Sequence, residues 1–188
     1  MSKVITFSRT FPAYHAKAGQ PTYFVEKIWT SFRVTVYFKP NEPTYFYQDP
    51  DELLTLNKHF PYNLVSDLIK SIGNYSDKFE PKHHTIRMGN RWKVGDKFSP
   101  RVWSGKPYQS KQIVIAPDIE IKQIYTFSKD LIGKDFYLNG FRLQPNQLID
   151  IAKNDGLELS DMLLWLKYPK PFSNAQIICW SDSIDYKK

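Results

Sequence analysis

Only one cysteine, Cys179, occurs in the 188 residues. A single thiol excludes an intramolecular disulfide framework and a cysteine-based metal site. Set in the apolar run Ile177-Ile178-Cys179-Trp180, it reads as a small buried hydrophobe. No stretch approaches the roughly 18 consecutive apolar residues of a membrane helix. The segment from Met1 to Phe7 lacks the apolar core of a secretory signal. A cytoplasmic protein without membrane attachment is the expectation. Also missing are a glycine-rich phosphate loop, a Gly-x-Ser-x-Gly elbow and a His-Glu-x-x-His helix. His83-His84 is the only local histidine pair, and adjacent residues on a strand point to opposite faces. No metal and no cofactor are therefore expected. There is no internal repeat, low-complexity tract or linker, so the chain reads as one domain over 1–188.

Like charges never run to five in a row, so a basic tail is excluded as well. The formal net charge is nevertheless +7. Any positive surface must therefore be assembled by folding, and a polyanionic partner is one physical reason to tolerate the imbalance. Aromatic residues are plentiful, with 12 Tyr, 13 Phe and 5 Trp. That is enough to fill a core and still leave rings for stacking at a surface.

The hydrophobic pattern predicts a first strand over Val4 to Ser8. A helix follows from Pro21 to about Thr30, with Phe24, Val25, Ile28 and Trp29 on one face. Arg33 to Phe38 reads as a strand broken by Asn41-Glu42-Pro43. Asp49-Pro50-Asp51-Glu52 has the composition of a helix start, and a second helix is expected over Asn63 to Ile72. These helices read as an insertion around 33–76. Strands are then predicted over His84 to Met88, Asp96 to Ser104 and Ser110 to Ile124, the last interrupted by Pro117. Phe136 to Leu143 carries a hairpin with Asn139-Gly140 at its turn. Pro145 to Asn154 is helical with Leu148, Ile149, Ile151 and Ala152 inward, and Gly156 ends it. Ser160 should cap a short helix through Trp165, and Gln176 to Trp180 closes the chain as a strand. Short strands decorated with helices predict an α+β domain built around a small β-barrel with peripheral helices.

The densest segment runs from Lys82 to Lys97, with five Lys/Arg and two His among sixteen residues. On an extended strand Thr85 and Arg87 share one face with His83, while His84, Ile86 and Met88 share the other. Asn90, Arg91, Trp92 and Lys93 supply a cationic turn with an aromatic, and Trp103 and Tyr108 follow at the next hairpin. Cations with aromatics between them suit a nucleobase site: arginine for a phosphate or base edge, a ring for stacking. The alternative is a solvated basic strand with Trp92 packed in the core. His15 and Lys17, in the loop before Pro21, either reach the same cleft or belong to a plain surface loop.

Lys82-x-x-Thr85-Ile86-Arg87 followed by Trp92-Lys93-Val94-Gly95-Asp96 resembles the signature of the ASCH domains, a branch of the PUA-like barrels. Phe11-Pro12, the Gly19-to-Ile28 stretch, Asp155-Gly156-Leu157 with Trp165, and the last strand are similar to the same family. Arg33 to Ser76 is covered least. The resemblance implies a barrel whose cleft accepts RNA or a modified nucleoside. Some small bacterial members are amidohydrolases of N4-acetylcytidine that use a lysine, a threonine and a glutamate. The first two fall on Lys82 and Thr85. The best counterpart of the third is Asp155, a departure that shortens the carboxylate by one methylene.

In that chemistry Thr85 is the nucleophile, Lys82 its base and Asp155 an orienting or proton-transferring carboxylate, with Arg87 or backbone amides at the oxyanion. The competing reading makes Lys82 and Asp155 an ion pair bracketing a binding cleft. The principal expectation is therefore binding of RNA or a nucleoside or nucleotide ligand through Lys82, Thr85, Arg87 and flanking aromatics. Hydrolysis of an N4-acylated cytidine at the same cleft is the enzymatic rival. An adaptor whose basic cleft meets an acidic protein is the third.

Overall fold

The structure is a computed structural model that describes residues 3–31, 35–39, 42–46, 53–55, 79–130, 135–167 and 170–186. Twelve strands and three helices are formed among them. One sheet joins β1 (Lys3–Thr6), β6 (Lys97–Trp103) and β7 (Gln112–Val114), with β8 (Ile119–Glu120) also on β6. A second, antiparallel sheet runs β11–β10–β9–β12–β5. Its strands are β5 (His84–Met88), β9 (Gln123–Lys129), β10 (Phe136–Leu138), β11 (Phe141–Arg142) and β12 (Phe172–Cys179). The two sheets meet through Phe7, Phe98 and Trp180, whose rings pack at 5.9 to 6.2 Å. A third sheet, β2 (Thr35–Lys39), β3 (Glu42–Phe46) and β4 (Leu53–Thr55), pairs within itself.

The α+β class holds. A closed barrel does not form among the described residues: the strands fall into three separate sheets, which corrects the barrel expectation. The first helix, α1 (Phe24–Ser31), starts three residues later than Pro21, because Pro21 bridges to Thr10 and the Thr22 hydroxyl takes the Phe24 amide. Its four expected inward residues are all buried. Leu53–Thr55 pairs with β3 and is not the helix that Asp49-Pro50 suggests; cross-strand pairing overrides the local start signal. The rest of that helix and the one over Asn63 to Ile72 lie outside the described residues.

Pro117 does divide the long third strand, between β7 and β8, and a second break at Ile121-Lys122 separates β9. Asn139 and Gly140 both take positive φ, 51° and 84°, as a two-residue hairpin turn requires. α2 (Pro145–Asn154) has the predicted bounds, but Ile149 is 50% exposed because it lies off the face set by Leu148, Ile151 and Ala152. α3 (Leu159–Trp165) begins after Glu158, so Ser160 sits inside its first turn and does not cap it. β12 starts at Phe172, four residues before Gln176, across an irregularity between Phe172 and Ala175.

Candidate functional site

Two backbone hydrogen bonds place Lys82. Its amide donates to the Lys27 carbonyl of α1 at 2.9 Å, and the next amide, His83, donates to the Asn154 carbonyl at the end of α2 at 2.8 Å. The entry to β5 is thus pinned between α1 and the end of α2. Asp155 caps α2, and Gly156 turns the chain at φ 75°. A side chain at Gly156 would bring a Cβ within 3.1 Å of Lys27 and 3.5 Å of Lys82, so glycine permits both the turn and the close approach.

The Lys82 side chain runs into this junction and is 1% exposed. Its ammonium donates to Asp155 Oδ1 at 2.5 Å and also to the Asp155 carbonyl oxygen. A cation suits the carbonyl-rich end of a helix, whereas a carboxylate there is unfavourable. Lys82 therefore makes the buried Asp155 tolerable, and the reverse also holds. Burial brings the Lys82 ammonium down from its ordinary 10.5 to about 8, opposed by the Asp155 charge. Burial likewise raises the Asp155 carboxyl, opposed first by Lys82.

Two rings flank the cations. The Lys82 ammonium lies 4.4 Å from the Phe24 centroid and 6.0 Å from Phe7, while the Arg87 guanidinium lies 5.4 Å from Phe7. Arg87 donates from one terminal nitrogen to the Thr6 carbonyl at 2.7 Å, but its buried Nε has no hydrogen-bond partner among the described residues. Thr85 is 5% exposed and its hydroxyl makes no hydrogen bond to the described residues.

Lys82, Thr85, Arg87 and Asp155 all line one cleft, closed by Phe7, Phe24, Met162 and Trp165. It encloses about 430 Å³ including the mouth, with an inner cavity of about 50 Å³. The inner space matches about three or four water molecules, so a ligand would enter by an edge and not as a bulky whole. The shorter carboxylate of aspartate still reaches Lys82. No hydrogen bond joins Lys82 to Thr85; two of the three ammonium donors go to Asp155.

The remaining candidates are dispersed. His15 is buried, but in a separate cluster. Its Nδ1 accepts from the Lys17 amide, its Nε2 meets the Asp161 carbonyl at 3.2 Å, and it packs on Phe11. Lys17 pairs with Asp161 at 2.6 Å, outside the Lys82 cleft. Both therefore organise the start of α3, which corrects their assignment to the cleft. Trp92 is also corrected: it is a core residue packed on Phe98, its backbone held at both ends by the buried Gln176 amide. Asn90, Arg91 and Lys93 are exposed around it; Arg91 covers the Trp92 ring at 5.0 Å.

Trp103 and Tyr108 pair with each other at 5.3 Å on the β6–β7 hairpin, away from the cleft lining, with Tyr108 89% exposed. Arg91 and Tyr108 are close enough to act electrostatically on Arg87. The walls Phe7, Phe24 and Met162 were not foreseen as site residues. An aromatic beside a buried cation leaves no spacing signal distinct from that of an ordinary core position.

Comparison with family models, with curated proteins and with solved structures finds no significant match to the chain. The ASCH resemblance thus rests on the motifs themselves.

Proposed function

We propose that the chain is a divergent ASCH-type, PUA-like domain whose cleft binds a single nucleobase, carried by RNA or by a free nucleoside or nucleotide. What supports this reading is the convergence of Arg87, Thr85 and the Lys82–Asp155 pair in one aromatic-walled cleft. Arg87 Nε is a buried donor without an acceptor among the described residues, a costly arrangement that a ligand carbonyl or phosphate oxygen would relieve. The Thr85 hydroxyl offers a donor and an acceptor, and Phe7 and Trp165 offer apolar walls for a planar ring. The narrow inner cavity suits one extruded base and not a duplex.

The test is titration calorimetry of the whole chain with free nucleosides, N4-acetylcytidine included, and with short single-stranded RNA. Arg87→Ala is expected to weaken binding about 10-fold or more, the equivalent of one charge-assisted hydrogen bond. Absence of binding by every nucleoside and oligonucleotide would overturn the proposal.

A second reading has its own support. A lysine held near pH 8 beside a threonine hydroxyl and a carboxylate has the makings of an amidohydrolase acting on N4-acylated cytidine. No hydrogen bond links Lys82 to Thr85, so binding is the better supported of the two. Ultraviolet absorbance of N4-acetylcytidine during incubation reads hydrolysis directly. Turnover that survives Thr85→Ala would end the mechanism.

A further inference from the structure

Positions 97–117, which span β6, the hairpin after it and β7, contain no Asp or Glu but four cations, Lys97, Arg101, Lys106 and Lys111. None of the ion pairs among the described residues uses Arg101, Lys106 or Lys111. The Arg101 guanidinium donates to neutral oxygens, Ser99 Oγ at 3.1 Å and Gln112 Oε1 at 3.3 Å. Strand alternation fixes what the outer face presents. Phe98 and Val102 point into the core, and Lys97, Arg101 and Trp103 take the opposite side.

At the hairpin tip Tyr108 pairs with Trp103, ring centroids 5.3 Å apart, yet is 89% exposed. Its φ of 63° is a strained conformation for a bulky side chain. Ser110 closes the turn that holds it. The Ser110 Oγ accepts from the Gly105 amide and donates to the Lys106 carbonyl, both at 2.9 Å, and the Ser104 amide reaches the Lys111 carbonyl at 2.9 Å. A closed turn therefore presents a ring pair to solvent among unpaired cations.

This face adjoins the cleft. Thr6 of β1 pairs in register with Arg101, and the Phe7 amide donates to the Arg101 carbonyl at 2.7 Å. The Thr6 carbonyl is the one that takes the Arg87 guanidinium. One strand spacing across and two residues along put Trp103 about 8 Å from Thr6. Tyr108 is near enough to act electrostatically on Arg87.

We propose that the β6–β7 hairpin is a second nucleotide subsite, a stacking platform for single-stranded RNA whose neighbouring base enters the Lys82–Arg87 cleft. Trp103 and Tyr108 offer ring faces to an unpaired base, and Arg101, Lys106 and Lys111 meet the flanking phosphates. Stacking on exposed rings favours a base over an acidic peptide, whose carboxylates meet the cations alone. A free nucleoside would fill the cleft and leave the hairpin bare, so the ligand class is the strand. Its course into the cleft rests on the cleft reading above; the hairpin contact itself does not.

The experiment is fluorescence anisotropy of the full chain with labelled single-stranded oligouridine, oligocytidine and oligoadenosine of about ten nucleotides, beside calorimetry with the free nucleosides. Tyr108→Ala is expected to weaken RNA binding about 5- to 100-fold, the range of one base stack, with nucleoside affinity unchanged. Tyr108→Phe, which keeps the ring, should bind RNA as wild type does. Lys106→Gln combined with Lys111→Gln should flatten the slope of log affinity against log salt by about 1.4, at about 0.7 per phosphate on a single strand.

An unchanged affinity in Tyr108→Ala, an unchanged slope in the lysine variant, or no RNA binding by wild type would each overturn the proposal. Oligoglutamate bound as tightly as RNA of equal charge would assign the face to an acidic protein and overturn it as well. A failure of the cleft reads differently: no nucleoside binds and Arg87→Ala leaves RNA affinity unchanged, while the Tyr108→Ala loss persists. The hairpin subsite then stands and the strand's course into the cleft does not.

Discussion

At the scale of single residues the Lys82–Asp155 contact dominates, and its energetics are asymmetric. Removing one partner strands the other as a buried charge; replacing both by groups of similar size does not. Asp155→Ala is therefore expected to lose about 3–5 kcal/mol in urea unfolding, and Lys82→Met combined with Asp155→Leu considerably less. The pH dependence has a definite sign. The folded chain holds the Lys82 proton less tightly than the unfolded chain does, with midpoints of about 8 and 10.5. The stability contributed by Lys82 is thus fully present above about pH 10.5 and lost as the pH falls through about 8. Unfolding free energy of wild type relative to the double variant should rise with pH across that window. A flat difference would mean that Lys82 titrates as a free lysine.

At the scale of elements two glycines make a matched pair. Gly140 at the β10–β11 turn and Gly156 after α2 have φ of 84° and 75°, so alanine is strained at both. The strain costs about 1–3 kcal/mol at either position. Only Gly156 has Lys27 and Lys82 within reach of a new Cβ, whereas Gly140 has open space. Gly140→Ala is expected to lower stability with nucleoside affinity unchanged. Gly156→Ala is expected to lower both, because it displaces the Lys82 stem. Equal affinities in the two variants, by calorimetry, would detach the α2 end from ligand binding.

At the scale of the whole molecule the chain carries a net charge of +7, and among the described residues exposed cations such as Lys3, Arg91, Lys93, Lys106 and Lys111 lie outside the cleft lining. In the cleft Asp155 offsets one of the two cations, Lys82 and Arg87. The two modes of ligand should therefore separate by salt. Affinity for a neutral nucleoside should be nearly flat between about 50 and 200 mM salt. Affinity for RNA should fall in proportion to the number of phosphates contacted. A flat response for RNA would place the exposed cations outside the interface. Among the described residues no helix is long and apolar enough to cross a membrane.

Much of the element plan was legible because it is local. β5, the Asn139-Gly140 hairpin and α2 follow from periodicity, turn chemistry and capping, all written within a dozen residues of each other. Where the prediction failed, a distant partner intervened: Thr10 drew Pro21 out of α1, and β3 drew Leu53–Thr55 into a strand. The candidate site divides along the same line. The sequence by itself determined that Thr85 and Arg87 would share one face of a strand, since their two-residue spacing sets their directions; Lys82 stands just before that strand.

Only the tertiary structure decided that Asp155, 73 residues away, meets Lys82. It alone turned Trp92 inward and sent His15 and Lys17 to Asp161. Burial of a charge is a property of everything packed around it, and no segment carries that information alone.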